Sequence, residues 1–309
     1  MHQTSKKTIQ WIEKSIDGDV LEREPLTGGM SSELTLLTVK FSDGVVKKMV
    51  LREYTDEEWL EMEPDIAFKE AENLTQAEKL TVSTPYLIAS DPTSEQTTWP
   101  SLLMSKVEGE VILNSSYTKG LIDELAKALY LIHQATHIIC SSSYFRYFDP
   151  TIPVQAKWSA SPENWQTMMS YLSETPAPET VSTFIHRDFH PTNVLFTNNK
   201  VSAVVDWPNA CMGPRQVDIG HCRWNLAMLY GQDAADDFLK AYRKKDPDLA
   251  YPPYWDLEML SNVFAEDKPE VYGGWLAYER TDLTEALMIE RMDSFLQNTL
   301  DRLECESNE

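Results

Sequence analysis

The sequence predicts an α+β fold of two lobes, an antiparallel sheet with a helix followed by a mostly helical lobe. Three observations predict it. The first third alternates apolar and polar residues in short runs, the period of half-buried strands. Beyond Gly109 the apolar spacing lengthens to that of helices. Between Phe184 and Asp206, two short apolar runs flank a dense polar cluster. We expect residues 1–107 to form one lobe and 108–309 the other.

The elements follow in order. Ile9, Trp11, Ile12 and Ile16 lie near helical spacing within residues 5–16. A glycine turn, Thr27-Gly28-Gly29-Met30-Ser31-Ser32, enters an alternating strand. Asp43-Gly44 is a hairpin signal, and 45–54 reads as the returning strand. Residues 64–80 predict a helix with Pro64 in its first turn and Ile66, Ala67, Ala71, Leu74, Ala77 and Leu80 as its apolar stripe. Runs at 85–89 and 101–107 read as strands. Leu121, Leu125, Leu129 and Ile132 mark a buried helix. Residues 136–180, rich in Ser, Pro and aromatics, mix loops with short helices. Two short strands then meet at a turn at Asn198-Asn199. Residues 217–309 read as helical, interrupted by Pro247, Pro252, Pro253 and Gly273-Gly274.

Four scattered cysteines, with no Cys-x-x-Cys pair, predict reduced thiols rather than a disulfide frame or zinc site. The N-terminus has no apolar signal core, and no run approaches the roughly 20 apolar residues of a membrane helix. The expectation is a soluble, cytoplasmic protein. A net charge of −22 repels nucleic acid and anionic membranes. Residues 233–309 carry 19 Asp and Glu against 8 Lys and Arg, half of that excess. This is either a solvated acidic surface or a face for a cationic ligand. Oligomeric state is not legible.

The polar cluster carries the chemistry. Asp188 and Asn193 stand in a His-x-Asp-x-x-x-x-Asn frame, and Asp206 ends the next apolar run. One carboxylate to orient and deprotonate a hydroxyl, with a carboxamide and a second carboxylate as hard oxygen ligands for Mg2+, is what phosphoryl transfer requires. Asp188 is the candidate catalytic base, and Asn193 and Asp206 are the candidate metal ligands. His186 is expected to organise the loop.

The run His186-Arg-Asp-Phe-His-Pro-Thr-Asn-Val-Leu-Phe, followed by Val-Val-Asp206-Trp, resembles the aminoglycoside phosphotransferase family, which has the protein-kinase fold. His190-Pro191 inside the loop fits that family rather than typical protein kinases. Trp207-Pro208 stands where protein kinases carry Phe-Gly, and neither an Ala-Pro-Glu segment nor an activation loop follows. The resemblance implies a two-lobed protein-kinase-like fold, with a nucleotide-binding first lobe and a catalytic, acceptor-binding second lobe. It implies ATP (or GTP) and Mg2+ as cofactors and a small-molecule hydroxyl acceptor as partner.

It also implies further site residues. Gly28, Gly29 and Ser31 match the turn over the phosphates. Arg52 stands where protein kinases carry lysine, with Lys47 and Lys48 as competitors. Glu70 matches the helix glutamate that pairs with this cation, and Glu72 is the alternative. Backbone at Ser105 and Val107 is expected to meet the base, with Leu103 and Met104 as an apolar wall. Asp218 resembles the aspartate that supports the catalytic loop. Asp236, Asp237, Glu258, Glu266, Asp267 and Glu270 are candidates to receive a cationic acceptor such as an aminoglycoside. The alternatives are a macrolide or metabolic-alcohol kinase of the choline or homoserine type, and a nucleotide-binding protein without catalysis.

Overall fold

The computed structural model describes residues 4–26, 32–265 and 268–307. The glycine turn at Gly28, Gly29 and Ser31 lies outside the described residues, as do Glu266 and Asp267. Helix α1 (Lys6–Ile16) opens on Ser5, whose hydroxyl accepts from Thr8 N, and closes on Asp17 in the left-handed region. The strands β1 (Gly18–Leu26), β2 (Glu33–Phe41) and β3 (Val46–Glu53), short helix α2 (Glu57–Met62), helix α3 (Ile66–Ala77) and strands β4 (Leu87–Asp91) and β5 (Ser101–Ser105) follow. The sheet runs β1-β2-β3-β5-β4, with every neighbouring pair antiparallel.

Strand alternation divides this sheet between two cores. Leu37, Val39, Met49, Leu51 and Leu103 pack with Trp11, Ile12 and Ile16 of α1. Leu102 and Met104 instead join the large cluster shared with α3 and the second lobe. Leu103 therefore faces α1, away from Met104, and does not join it in one apolar wall. Strand β1 carries no signal in the sequence because most of its side chains are exposed, so no alternation develops. Helix α2 buries no residue and is equally silent.

The second lobe contains α4 (Lys119–His133), α5 (Pro162–Glu174), β6 (Ser182–Ile185), β7 (Val194–Thr197), β8 (Lys200–Val204), β9 (Cys211–Pro214), α6 (Arg215–Tyr230), α7 (Gln232–Arg243), α8 (Tyr254–Ser261), α9 (Gly273–Leu276) and α10 (Glu285–Ser307). Thr118 caps α4 through Leu121 N, and Leu121, Leu125, Leu129 and Ile132 are buried. Helix α6 is buried nearly all round. Its Arg223 is fully enclosed and holds Asp256 of α8 at 2.9 and 3.1 Å, while Arg302 reaches the same carboxylate at 2.7 Å. Trp165 of α5 donates to Asp293 of α10 at 2.8 Å. The cysteines are free: Cys140, Cys211 and Cys222 buried, Cys305 exposed. Among the described residues no helix is long and apolar enough to cross a membrane.

The linker between the lobes is stitched to the β7–β8 hairpin. Glu110 and Phe196 exchange backbone hydrogen bonds at 3.0 and 2.8 Å, and Ser202 donates to Glu108 O at 2.7 Å. Gly109 has φ +130°, and a Cβ there would sit 2.2 Å from Ser202 Oγ. Only glycine takes that backbone without strain.

Candidate active site

The hairpin builds half of the site. Asn198 and Asn199 turn it with φ of 52° and 58°, the left-handed pair that a tight two-residue turn needs. Val194 pairs with Val204, and Val205 N donates to Asn193 O at 2.9 Å. Asn193 and Asp206 are thereby brought to one end of the hairpin. Asn193 Nδ2 donates to Asp188 O at 2.9 Å and to Asp188 Oδ2 at 3.2 Å, which leaves Oδ1 to take a cation. The Asp188 and Asp206 side chains are 30% and 31% exposed, so both carboxylates reach solvent in the cleft.

His186 ties the two carboxylates' backbones together. Its Nε2 faces Val205 O at 2.9 Å, so Nε2 carries the proton and Nδ1 accepts from Asp188 N at 3.3 Å. Asp218 of α6 accepts from His186 N at 2.8 Å and Arg187 N at 2.6 Å. His133 Nε2 approaches the same carboxylate at 3.0 Å, and its Nδ1 meets Tyr242 OH at 2.8 Å. Asp218 thus carries the loop from below. Arg187 has φ 66° and Asp206 φ 71°, conformations costly for non-glycine residues. Arg187 is held there by Phe145 O at 2.9 Å and by the rings of Phe145 and Tyr147, with centroids 4.1 and 4.0 Å from its guanidinium carbon.

The first lobe supplies the cation. Arg52 Nη1 donates to Glu70 Oε1 at 2.8 Å and to Asp206 Oδ1 at 2.7 Å. Tyr54 OH donates to the other Glu70 oxygen. Arg52 Nε is buried without a hydrogen-bond partner, an unmet donor on the same group. Burial alone would lower the Arg52 pKa, but Glu70 and Asp206 raise it above its ordinary value. Burial pushes the Glu70 carboxyl up, against the pull of Arg52. The competitors are elsewhere: Lys47 and Lys48 are exposed, and Glu72 accepts from Ser141 N at 3.1 Å.

Imidazoles surround the base. His221 Nε2 lies 3.0 Å from Asp188 Oδ1, an ion-pair distance in a geometry too bent for a hydrogen bond. His190 Nε2 lies 3.6 Å from the same oxygen. Burial would raise the Asp188 pKa, but His190, His221 and His186 together hold it well below the usual carboxylate range. Burial pushes His190 down to about 4, against the pull of Asp188. At neutral pH the arrangement is an ionised Asp188 beside a neutral His190.

Several site residues carry no signal in the sequence. Asn73 of α3, 1% exposed, donates through Nδ2 to Trp207 O, Pro208 O and Ala210 O at 3.0, 3.2 and 2.9 Å. Tyr272 stacks edge-on to His190 at 5.9 Å, and its hydroxyl pKa is raised by burial and then by Asp188 and Asp206. Its place beside the base depends on the return of a segment eighty residues downstream, which no local pattern encodes. His221, like Cys211 and Cys222, stands near the site in sequence, where buried packing rather than metal ligation is the expectation.

Other expected contacts are altered. Ser105 N donates to Tyr86 O at 3.0 Å, so a base in the cleft must use another backbone group there. Val107 follows the end of β5 rather than extending it. The acidic candidates are engaged with the protein itself. Glu258, 2% exposed, meets Arg146 at 3.0 Å and Tyr144 OH. Asp236 meets Arg223 at 3.3 Å, Asp237 meets Tyr117 OH at 3.3 Å, and Glu270 lies 3.9 Å from Lys268.

A loop aspartate, a carboxamide and carboxylate at one hairpin end, and an Arg–Glu pair across the cleft define a two-lobed, kinase-like phosphotransferase. The model of the phosphotransferase enzyme family matches residues 25–254, and the chain belongs to this family. Solved structures share the fold at low identity. A thermostable mutant of aminoglycoside phosphotransferase APH(4)-Ia, in a ternary complex with ADP and hygromycin B, is 15% identical, with 94% of this chain and 98% of that one covered and a TM-score of 0.60. The gentamicin complex of APH(2")-IIa is 17% identical over 96% and 97% of the two chains, with a TM-score of 0.54. Macrolide 2'-phosphotransferase MphH from Brachybacterium faecium is 15% identical over 90% and 95%, with a TM-score of 0.56. Among curated proteins no sequence matches this chain significantly.

Proposed function

We propose that this phosphotransferase moves the γ-phosphoryl group of ATP (or GTP) to a hydroxyl of a small cationic acceptor of the aminoglycoside type. The observation that carries the reading is the convergence of Asp188, Asn193, Asp206 and Arg52 at the cleft. Asp188 orients the acceptor hydroxyl and takes its proton. Asn193 Oδ1 and the Asp206 carboxylate are a hard-oxygen pair that fits Mg2+, which when bound neutralises phosphate charge. The unmet Nε donor of Arg52 suits a phosphate oxygen. Residues 1–107 then serve the nucleotide, and 108–309 the chemistry and acceptor. A 15%-identical neighbour of the same fold is known in complex with ADP, which supports nucleotide binding by this chain.

A second reading, a larger and less charged acceptor such as a macrolide, is favoured by the carboxylates already engaged in the second lobe and by Tyr272, 40% exposed at the site's edge. An acceptor panel with ADP release as readout separates the two. Turnover confined to amino-polyols supports the first, and turnover confined to macrolides supports the second. Asp188→Asn should cut turnover by about 10²–10⁴-fold while nucleotide still binds. Undiminished transfer in that variant would remove Asp188 as the base.

A further inference from the structure

We propose that Asp188, His190 and His221 form a binding site for one zinc-type transition-metal cation, separate from the oxygen pair of Asn193 and Asp206. Asp188 Oδ1 lies 3.0 Å from His221 Nε2 and 3.6 Å from His190 Nε2. One ligand atom from each residue lies within 4.8 Å of the other two. A tetrahedral ion with nitrogen and oxygen ligands at about 2.0–2.2 Å spaces those ligands roughly 3.4 Å apart. The two measured edges bracket that value, and the edge between the two imidazoles, within 4.8 Å, closes as the rings turn inward.

The surroundings favour ligation. His221 Nε2 is buried and faces Asp188 Oδ1 at 3.0 Å in a poorly aligned contact, which a metal between the two atoms would replace. Thr192 Oγ lies 2.9 Å from His190 Nδ1 and can accept its proton, which leaves the Nε2 lone pair facing Asp188. The scaffold is fixed, because Asp218, one turn before His221 on α6, holds the loop bearing Asp188 at the backbone of His186 and Arg187. Two imidazoles and one carboxylate select zinc, cobalt or copper over magnesium. On the proposed function, such an ion and an acceptor hydroxyl claim the same oxygen of Asp188. The ion is then an inhibitor, and that consequence alone rests on the phosphotransfer reading.

The test titrates metal-free, tag-free protein with Co2+, without nucleotide or Mg2+. The expected result is a visible four- or five-coordinate absorption that saturates at one equivalent and is abolished by one equivalent of Zn2+. His221→Ala should weaken binding at least tenfold, and His137→Ala, at an exposed loop position, should not. A weak six-coordinate spectrum, or affinity unchanged in His221→Ala, overturns the site. X-ray absorption on the wild-type zinc protein needs no variant: two imidazoles around zinc support the site, and none refutes it. ADP release is measured separately. Cation binding without transfer in any panel would sink the phosphotransfer reading and leave this one standing. Transfer without cation binding would do the reverse.

Discussion

Asn73→Leu should loosen the segment that follows Asp206. Asn73 Nδ2 has two protons shared among three carbonyls at 2.9–3.2 Å. Trp207 O keeps a second donor, Ala210 N at 3.2 Å, so the loss falls on Pro208 O and Ala210 O. A net hydrogen bond is worth about 1 kcal/mol, and a buried carbonyl left unpaired costs about 1–3 kcal/mol. Leucine restores some apolar burial, so the expected destabilisation is about 3 kcal/mol. With a urea m-value of roughly 3 kcal/mol/M for a chain of this size, the unfolding midpoint falls by about 1 M. The m-value itself should not change. A midpoint shift under about 0.2 M would refute the idea that this side chain holds the segment. A second readout rests on the proposed function: the Mg2+ concentration for half-maximal ADP release should rise in the variant.

Three further outcomes are expected. Arg52→Met should cost about 3 kcal/mol by stranding buried Glu70; Arg52→Lys should cost much less, because both contacts run through one nitrogen, and urea midpoints decide it. Asp256 is held below its ordinary value by Arg223 and Arg302, which outweigh the upward push of burial. Its contribution to stability is therefore present above about pH 4 and lost as pH falls below it, and Asp256→Asn should give a flatter acid limb in thermal melts between pH 5 and roughly 2. Asp218→Asn should destabilise the loop and depress turnover together, since one carboxylate serves His186, Arg187 and His133; an intact melting profile with full turnover would contradict that.

Asp188, Asn193 and Asp206 were legible because they sit close together in sequence, in one loop and at one end of the hairpin that follows it. The turn at Asn198-Asn199 and the apolar face of α4 follow from local rules of spacing, whereas the Arg52–Glu70 pair follows only from the family resemblance, since Lys47, Lys48 and Glu72 fit the local pattern as well. The exposed strand β1 and helix α2 were silent because burial, not propensity, writes the pattern. Adjacent apolar residues such as Leu103 and Met104 look like one wall in sequence, but strand alternation sends them to opposite faces of the sheet. Tyr272 and Asn73 depend on long-range return of the chain, so no window of sequence contains their partners. The acidic excess was visible, but its pairing with Arg146, Arg223 and Lys268 was not.

Arg52 Nη1 touches Glu70 in its own lobe and Asp206 in the other. A single nitrogen therefore clasps the cleft. On the proposed function, loading is an exchange rather than an addition: Asp206 turns from guanidinium to cation while the arginine passes to phosphate. On that function, the charge that joins the lobes is the charge a nucleotide and its cation would displace. Because the clasp is mostly buried, added salt screens it little, so competition from phosphate and cation rather than ionic strength should govern lobe opening.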